Sequence, residues 1–309
     1  MKPDAPATPT PASAANPLVY LKLTAVALLW GGTFIAGKLA AQAVPPLSAA
    51  TGRFAVAVAL LLVLAWKVEG GLPRLDRRQL AITFCLGLTG IFLYNLFFLG
   101  ALSRIPAGRS ALFVALNPIV TALALAALFG ERLGALRWAG IAIALAGAVV
   151  VITRGAPLEA LHDIGRSLGT GELMMFGAIS SWAAYTIIGR FALRGLTPLA
   201  ATTWAALWGL GLLLCGAAFE LPGLDWNRVT WPVLGAIAYL GAFGTVIGFV
   251  WYYEGVHAIG PARTAVFNNL VPVFGMLLAA GLLGEPILAS MLVGGALVIA
   301  GVSLTNRVR

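Results

Sequence analysis

Charge is what this 309-residue sequence most lacks. Only 10% of its residues are Asp, Glu, Lys or Arg, while 60% belong to the apolar set of Ala, Val, Ile, Leu, Met, Phe, Trp, Tyr and Cys. An average soluble domain carries about 25% charged residues, and a compact water-soluble fold could not bury so large an apolar excess without aggregating. That excludes a soluble enzyme, a secreted scaffold and a disordered chain. Cysteine is nearly absent: Cys85 and Cys215 both fall in apolar runs, so no disulfide framework or metal site is expected. The two histidines, His162 and His257, stand far apart, and no HExxH, nucleophile elbow or phosphate loop accompanies them. No catalysis, metal or cofactor is expected. The net charge of +9 comes from single, scattered Lys and Arg rather than a basic patch, which argues against nucleic acid.

What is present is a series of apolar runs. A membrane-spanning helix needs about 20 mostly apolar residues. That criterion predicts ten, at 19–41, 47–67, 79–101, 107–130, 135–153, 171–194, 199–219, 230–254, 261–284 and 288–306. None shows the alternating polarity of a barrel strand. The expected fold is therefore an all-α polytopic membrane protein of ten transmembrane helices. Residues 1–17, with five prolines among Ala and Thr, read as a disordered tail. Lys and Arg concentrate on the loops that share a side with both termini, among them Arg74, Arg77, Arg78, Arg132 and Arg137. The bias predicts both termini in the cytoplasm.

The chain is also written twice. Trp30, Gly37, Lys38 and Pro46 recur as Trp182, Gly189, Arg190 and Pro198, each 152 residues later. Arg109, Phe113, Pro118, Glu131 and Gly147 recur as Arg263, Phe267, Pro272, Glu285 and Gly301, each 154 residues later. The expected units are 18–153 and 171–309, joined by an outer connection at 154–170. Five spans is an odd number, so the second unit must cross the membrane inverted relative to the first. Inverted repeats let a carrier hold two pseudo-symmetric states around a site near the midplane.

The segments LLWGGTFIAGKLA (28–40), ALNPIVTALALAALFGERL (115–133) and LVPVFGMLLAAGLLGEPI (270–287) resemble the EamA-type drug/metabolite transporter superfamily. Gly140 and Gly147, with Gly294 and Gly301, extend the resemblance into the fifth and tenth spans. It implies a central cavity lined by the first, third, fourth, sixth, eighth and ninth spans, with the others peripheral. It also points to the bacterial exporters of aromatic and other amino acids.

Candidate substrate contacts are the polar and aromatic groups expected at membrane depth. Trp30 and Trp182 sit about eleven residues into their helices, and each indole N–H needs a partner that hydrocarbon cannot supply. Tyr94, Asn95 and Phe98 on the third span, Tyr185 on the sixth, and Trp251 and Tyr252 on the eighth offer apolar faces with polar tips. Pro118 and Pro272 predict kinks that release the Val114 and Asn268 carbonyls, beside the amides of Asn117, Asn268 and Asn269. Lys38 and Arg109 toward one end, and Arg190 and Arg263 toward the other, read as basic entrances or gates. Snorkelling to lipid phosphate explains the same positions. Arg53 has no repeat mate and reads as snorkelling unless a partner meets it. Glu131 and Glu285, in Gly-Glu turns, are expected to cap the helices that follow.

No Asp or Glu occurs in the middle third of any span, which predicts no buried acidic coupling site. Together these features describe a monomeric, facilitated exporter of small molecules: amino acids such as phenylalanine, tryptophan, methionine and threonine. The alternative is a sugar-phosphate or nucleotide-sugar exchanger of the same fold. Membrane lipid is the only other partner expected.

Overall fold

The computed structural model describes residues 17–130, 134–155, 169–259, 264 and 266–307. The N-terminal tail through residue 16, Glu131, Arg263 and most of the 154–170 connection lie outside the described residues. Ten helical segments follow one another, and among the described residues there is no strand. They are α1 (Pro17–Ala43), α2 (Pro46–Glu69), α3 (Arg77–Leu102), α4 (Ala107–Phe129), α5 (Ala135–Ile152), α6 (Thr170–Ala192), α7 (Pro198–Glu220), α8 (from Trp231 through Ile259), α9 (Leu270–Leu283) and α10 (Ala289–Arg307). Ends of the first seven fall within two residues of the expected spans, and α8 continues beyond its expected end at 254.

Among the described residues, seven helices are long and apolar enough to cross a membrane, and α9 and α10 are shorter apolar helices. The 23-residue α6 is not among the seven, because it carries Glu172, Ser180, Ser181, Trp182, Tyr185 and Arg190. Several of those groups turn toward α3 and α4 rather than outward. The chain is a multi-pass membrane protein.

Helix packing carries the repeat. α5 packs on α10, α2 on α7, α1 on α8 and α9, α6 on α3 and α4, α2 on α8, and α7 on α3. Exchanging each helix of the first five for its counterpart in the second five turns this set of pairs into itself. Direction is fixed by the contacts at the two ends. The last turns of α1 and the start of α4 lie at one end with the start of α6, where Lys38 meets Ile105 and Arg109 meets Glu172. The start of α1 lies at the other end with the last turns of α8, where Lys22 meets Glu254. The two halves are therefore inverted.

Hydrocarbon gives apolar side chains little reason to prefer each other over lipid, so close backbone approach must supply the contact. The α5–α10 seam is built that way. A Cβ added at Gly147 would lie 2.6 Å from the Gly294 carbonyl oxygen, and one at Gly301 would lie 2.5 Å from that of Gly140. Both third helices also widen into a π-helical turn, at Gly87–Leu93 in α3 and Ala242–Ile247 in α8. An extra residue in a helical turn leaves backbone groups free for other partners, and such turns gather at functional sites.

α4 breaks where the sequence predicts a kink. Ala115 and Leu116 form a turn between Ala107–Val114 and Asn117–Phe129, just before Pro118. Asn268 and Asn269 form the equivalent turn before Pro272. One detail differs from expectation: the Asn268 carbonyl is not released, because the Val271 N–H donates to it at 3.1 Å. A tighter three-residue turn replaces the bond that the proline cannot make.

Candidate functional site: two aromatic clusters across the repeat seam

Trp30 lies at the midpoint of α1, with its ring 5.4 Å from that of Tyr252 and 5.9 Å from that of Phe249, both on α8. Its indole N–H donates to the Gly244 carbonyl at 3.0 Å, an oxygen within the π-helical turn. Gly248 makes room: a Cβ there would come within 2.5 Å of the Trp30 indole nitrogen. Tyr252 in turn shares a side-chain hydrogen bond with Asn268.

The other half repeats the arrangement. Trp182 on α6 lies 5.2 Å from Tyr94 on α3 and 5.3 Å from Tyr185. Gly90, in the α3 π-helical turn, lets the Tyr185 ring approach so closely that a Cβ there would overlap it. Each tryptophan thus sits on the first helix of one half and packs against the third helix of the other half. Tyr94 also stacks on Phe98 at 5.4 Å. Phe98 itself is core, fully buried and in edge contact with Phe34.

Other candidates lie elsewhere. Trp251 sits at the α1–α8 end, 5.8 Å beneath the Lys22 ammonium. The same corner holds a cleft of about 50 Å³ lined by Leu18, Val19, Lys22, Trp251, Glu254 and Gly255. Asn117 presents a buried side-chain oxygen with no hydrogen-bond partner, and Asn269 donates to Ser303 at 3.3 Å. Arg190 is exposed on the last turn of α6.

Two expected entrances prove to be fastened. The Lys38 ammonium donates to the Ile105 carbonyl at 2.8 Å. Arg109 is buried, forms an ion pair with Glu172 at 2.7 Å and donates to the Ile152 carbonyl. Lone side chains at a mouth would have been solvated; these ones find acceptors because the ends of α3, α5 and α6 converge on them. A buried carboxylate does occur at a helix end, outside the middle third of any span. Glu172 lies within the first turn of α6 and is 5% exposed, so its charge is held by Arg109 rather than by water.

Arg53 does not snorkel. It is 8% exposed and points between α3 and α8, where it donates to the Asn95 side-chain oxygen at 2.9 Å and more weakly to the Thr245 hydroxyl at 3.3 Å. Asn95, a sequence candidate for substrate contact, is thereby engaged with Arg53 and with the Ile91 carbonyl. Glu285 caps a helix, though not the one that follows it. Its carboxylate accepts from the Ala107 and Gly108 N–H groups at 2.8 and 2.9 Å, closing the start of α4 from the opposite half. Glu220 at the end of α7 does the same for Leu47 and Ser48 at the start of α2. Both receiving helices have proline in the cap position, Pro106 and Pro45, and no side-chain cap of their own.

The EamA-like transporter family matches residues 17–153 and again 169–307. This chain belongs to that family. An uncharacterized transporter of Bacillus subtilis (strain 168), YyaM, is 32% identical, with 92% of each chain covered. A protein of Streptantibioticus cattleyicolor described as a probable terminal-alkyne amino-acid exporter is 28% identical, again over 92% of each chain. The uncharacterized inner membrane transporter YedA of Escherichia coli (strain K12) is 29% identical over 85% of this chain and 82% of its own. A solved crystal structure superposes with a TM-score of 0.63 at 24% identity, covering 94% of this chain and 97% of its own, a likeness of fold. Membership of a transporter family implies a small-molecule substrate.

Proposed function

We propose that this EamA-family chain is an alternating-access carrier that exports amino acids, chiefly aromatic and other apolar ones, across a bacterial inner membrane. The observation that carries the reading is the pair of aromatic clusters, Trp30 with Phe249 and Tyr252, and Trp182 with Tyr94. Each spans the seam between the halves at helix mid-depth, so any rocking of one half against the other changes the space between those rings. Aromatic faces suit side chains of varied apolar shape, and can also hold an ammonium by about 0.5–2 kcal/mol per cation–π contact.

The two ends of the bundle are unequal. Where α4 and α6 begin, three carboxylates tie one half to the other: Glu172 to Arg109, Glu285 to α4 and Glu220 to α2. At the opposite end the ion pair between halves is Lys22–Glu254, which is exposed to solvent. In this reading the tied end faces outward and is shut, the termini are cytoplasmic, and the units 18–153 and 171–309 are the moving bodies. A monomer suffices, since the site lies between halves of one chain. The amino-acid exporter among the relatives fits this assignment. A sugar-phosphate exchanger would want two free cations at the site, whereas Lys38 and Arg109 are committed to structural partners.

Counterflow in proteoliposomes tests the proposal. Vesicles preloaded with unlabelled phenylalanine should accumulate labelled phenylalanine or methionine transiently and saturably. Uptake of a phosphorylated sugar with no amino-acid counterflow would overturn it.

A further inference from the structure

Arg53 lies about 10 Å along α2 from its start, by the helical rise per residue. It is a charge in a part of the protein where charge is costly, and such a residue normally has a partner of opposite sign. Here the partners are neutral. The guanidinium meets the Asn95 amide oxygen, the Thr245 hydroxyl and the face of Phe54, and no carboxylate pairs with it among the described residues. Arginine offers five N–H donors. Three of them reach two acceptors, and those to Thr245, at 3.3 and 3.4 Å, are long.

The position of those two acceptors is the second observation. Thr245 lies in the π-helical turn of α8, and its hydroxyl is anchored on the Leu240 carbonyl at 3.0 Å. Asn95 follows the π-helical turn of α3, and its amide is anchored on Ile91 within that turn at 2.7 Å. Arg53 therefore bridges the irregular turns of the two third helices, one from each half. Directly before Asn95 in the chain is Tyr94, whose ring contacts that of Trp182. The aromatic surface and the uncompensated cation thus meet α3 at successive residues, Tyr94 and Asn95.

We propose that Arg53, held by Asn95 and Thr245, is the binding site for a single carboxylate, the α-carboxylate of the transported molecule. This rests on the amino-acid carrier reading and gives it a polar anchor. One buried cation among neutral neighbours matches one negative charge, which favours a monocarboxylate over a phosphate ester. The substrate's apolar side chain would then lie against Tyr94 and Trp182. Arg53 has no counterpart in the second half, where position 205 is Ala, so the carboxylate would be read from one half only.

Binding to the purified full-length chain is measured by thermal shift or calorimetry with L-phenylalanine, L-phenylalaninamide, 3-phenylpropionate and inorganic phosphate. The wild type should bind the two carboxylates, with the amide and phosphate at least roughly tenfold weaker, as expected for loss of a charge-assisted hydrogen bond. Arg53→Gln should abolish that preference and Arg53→Lys should keep part of it. If Arg53→Gln does not fold, the wild-type comparison still decides, because an amide that binds as well as the acid overturns the site. Phosphate binding in place of carboxylates overturns it too, as does Arg53→Gln protein with wild-type preference. Arg53-dependent binding of 3-phenylpropionate without any amino acid binding would uphold the anion site and sink the amino-acid reading. Amino-acid transport unchanged in Arg53→Gln would do the reverse. If no carboxylate binds the wild type, both fall.

Discussion

The Arg109 guanidinium and the Glu172 carboxylate lie 2.7 Å apart, with their side chains 8% and 6% exposed, and they join α4 of the first half to α6 of the second. Removing one member of a buried pair strands the other, at a cost of about 3–5 kcal/mol. Glu172→Gln should therefore lower the melting temperature of the detergent-solubilised protein clearly. The double variant Arg109→Gln with Glu172→Gln should recover part of the loss, since no lone charge remains. Additive losses in this cycle would show that the pair carries no coupling.

Glu285 offers a second, independent tie. It accepts from two backbone N–H groups at the start of α4, where Pro106 supplies no side-chain cap. Glu285→Ala should cost about 0.5–2 kcal/mol, in the range of a lost helix cap. Glu285→Gln, which keeps an acceptor oxygen, should cost less. Thermal melts of the two variants order the effects, and equal losses would argue against capping.

Trp30 combines an aromatic face with a hydrogen bond to Gly244. Trp30→Phe keeps a six-membered aromatic ring and loses the N–H with the rest of the pyrrole ring, and folded yield should stay near wild type. Trp30→Ala combined with Trp182→Ala should depress counterflow at least roughly tenfold while leaving most of the folded yield, as expected of groups that contact substrate more than core. Parallel loss of yield and transport in both variants would mark the rings as packing.

The α5–α10 seam has almost no slack. Gly147→Val places a branched side chain where a Cβ already lies 2.6 Å from the Gly294 carbonyl oxygen. Overpacking of this kind costs about 1–3 kcal/mol or more. Folded yield by size-exclusion chromatography should fall sharply, whereas Gly211→Val, where a Cβ meets nothing, should be tolerated.

The fold was legible because membrane helices declare themselves by length and apolarity, and because Trp30/Trp182 and Pro118/Pro272 keep register across the chain. Less legible were the residues that break the register. Arg53 and Glu172 have no repeat mates, with Ala205 and Tyr20 at the corresponding positions, and both turned out buried and partnered. A departure from the repeat is thus the sequence signal for them, though which partner each finds depends on three-dimensional convergence. The Gly-Glu turn marks Glu285 as a cap, yet the helix that it caps lies in the other half, a pairing that local sequence cannot specify. The π-helical turns at Gly87–Leu93 and Ala242–Ile247 left no pattern beyond closely spaced glycines.

Reciprocal opening of the two ends is the core of the account, and cysteine accessibility in proteoliposomes measures it directly. With Cys85 and Cys215 replaced, single cysteines are placed at Ser110, buried beside Arg109, and at Val19, which lines the cleft beside Glu254. Their reaction with an impermeant maleimide is followed with and without saturating phenylalanine. The account predicts that substrate shifts the two rates in opposite directions, and that Glu172→Gln speeds labelling at position 110 while slowing it at 19. Rates that rise or fall together, or that ignore both substrate and Glu172→Gln, would contradict it.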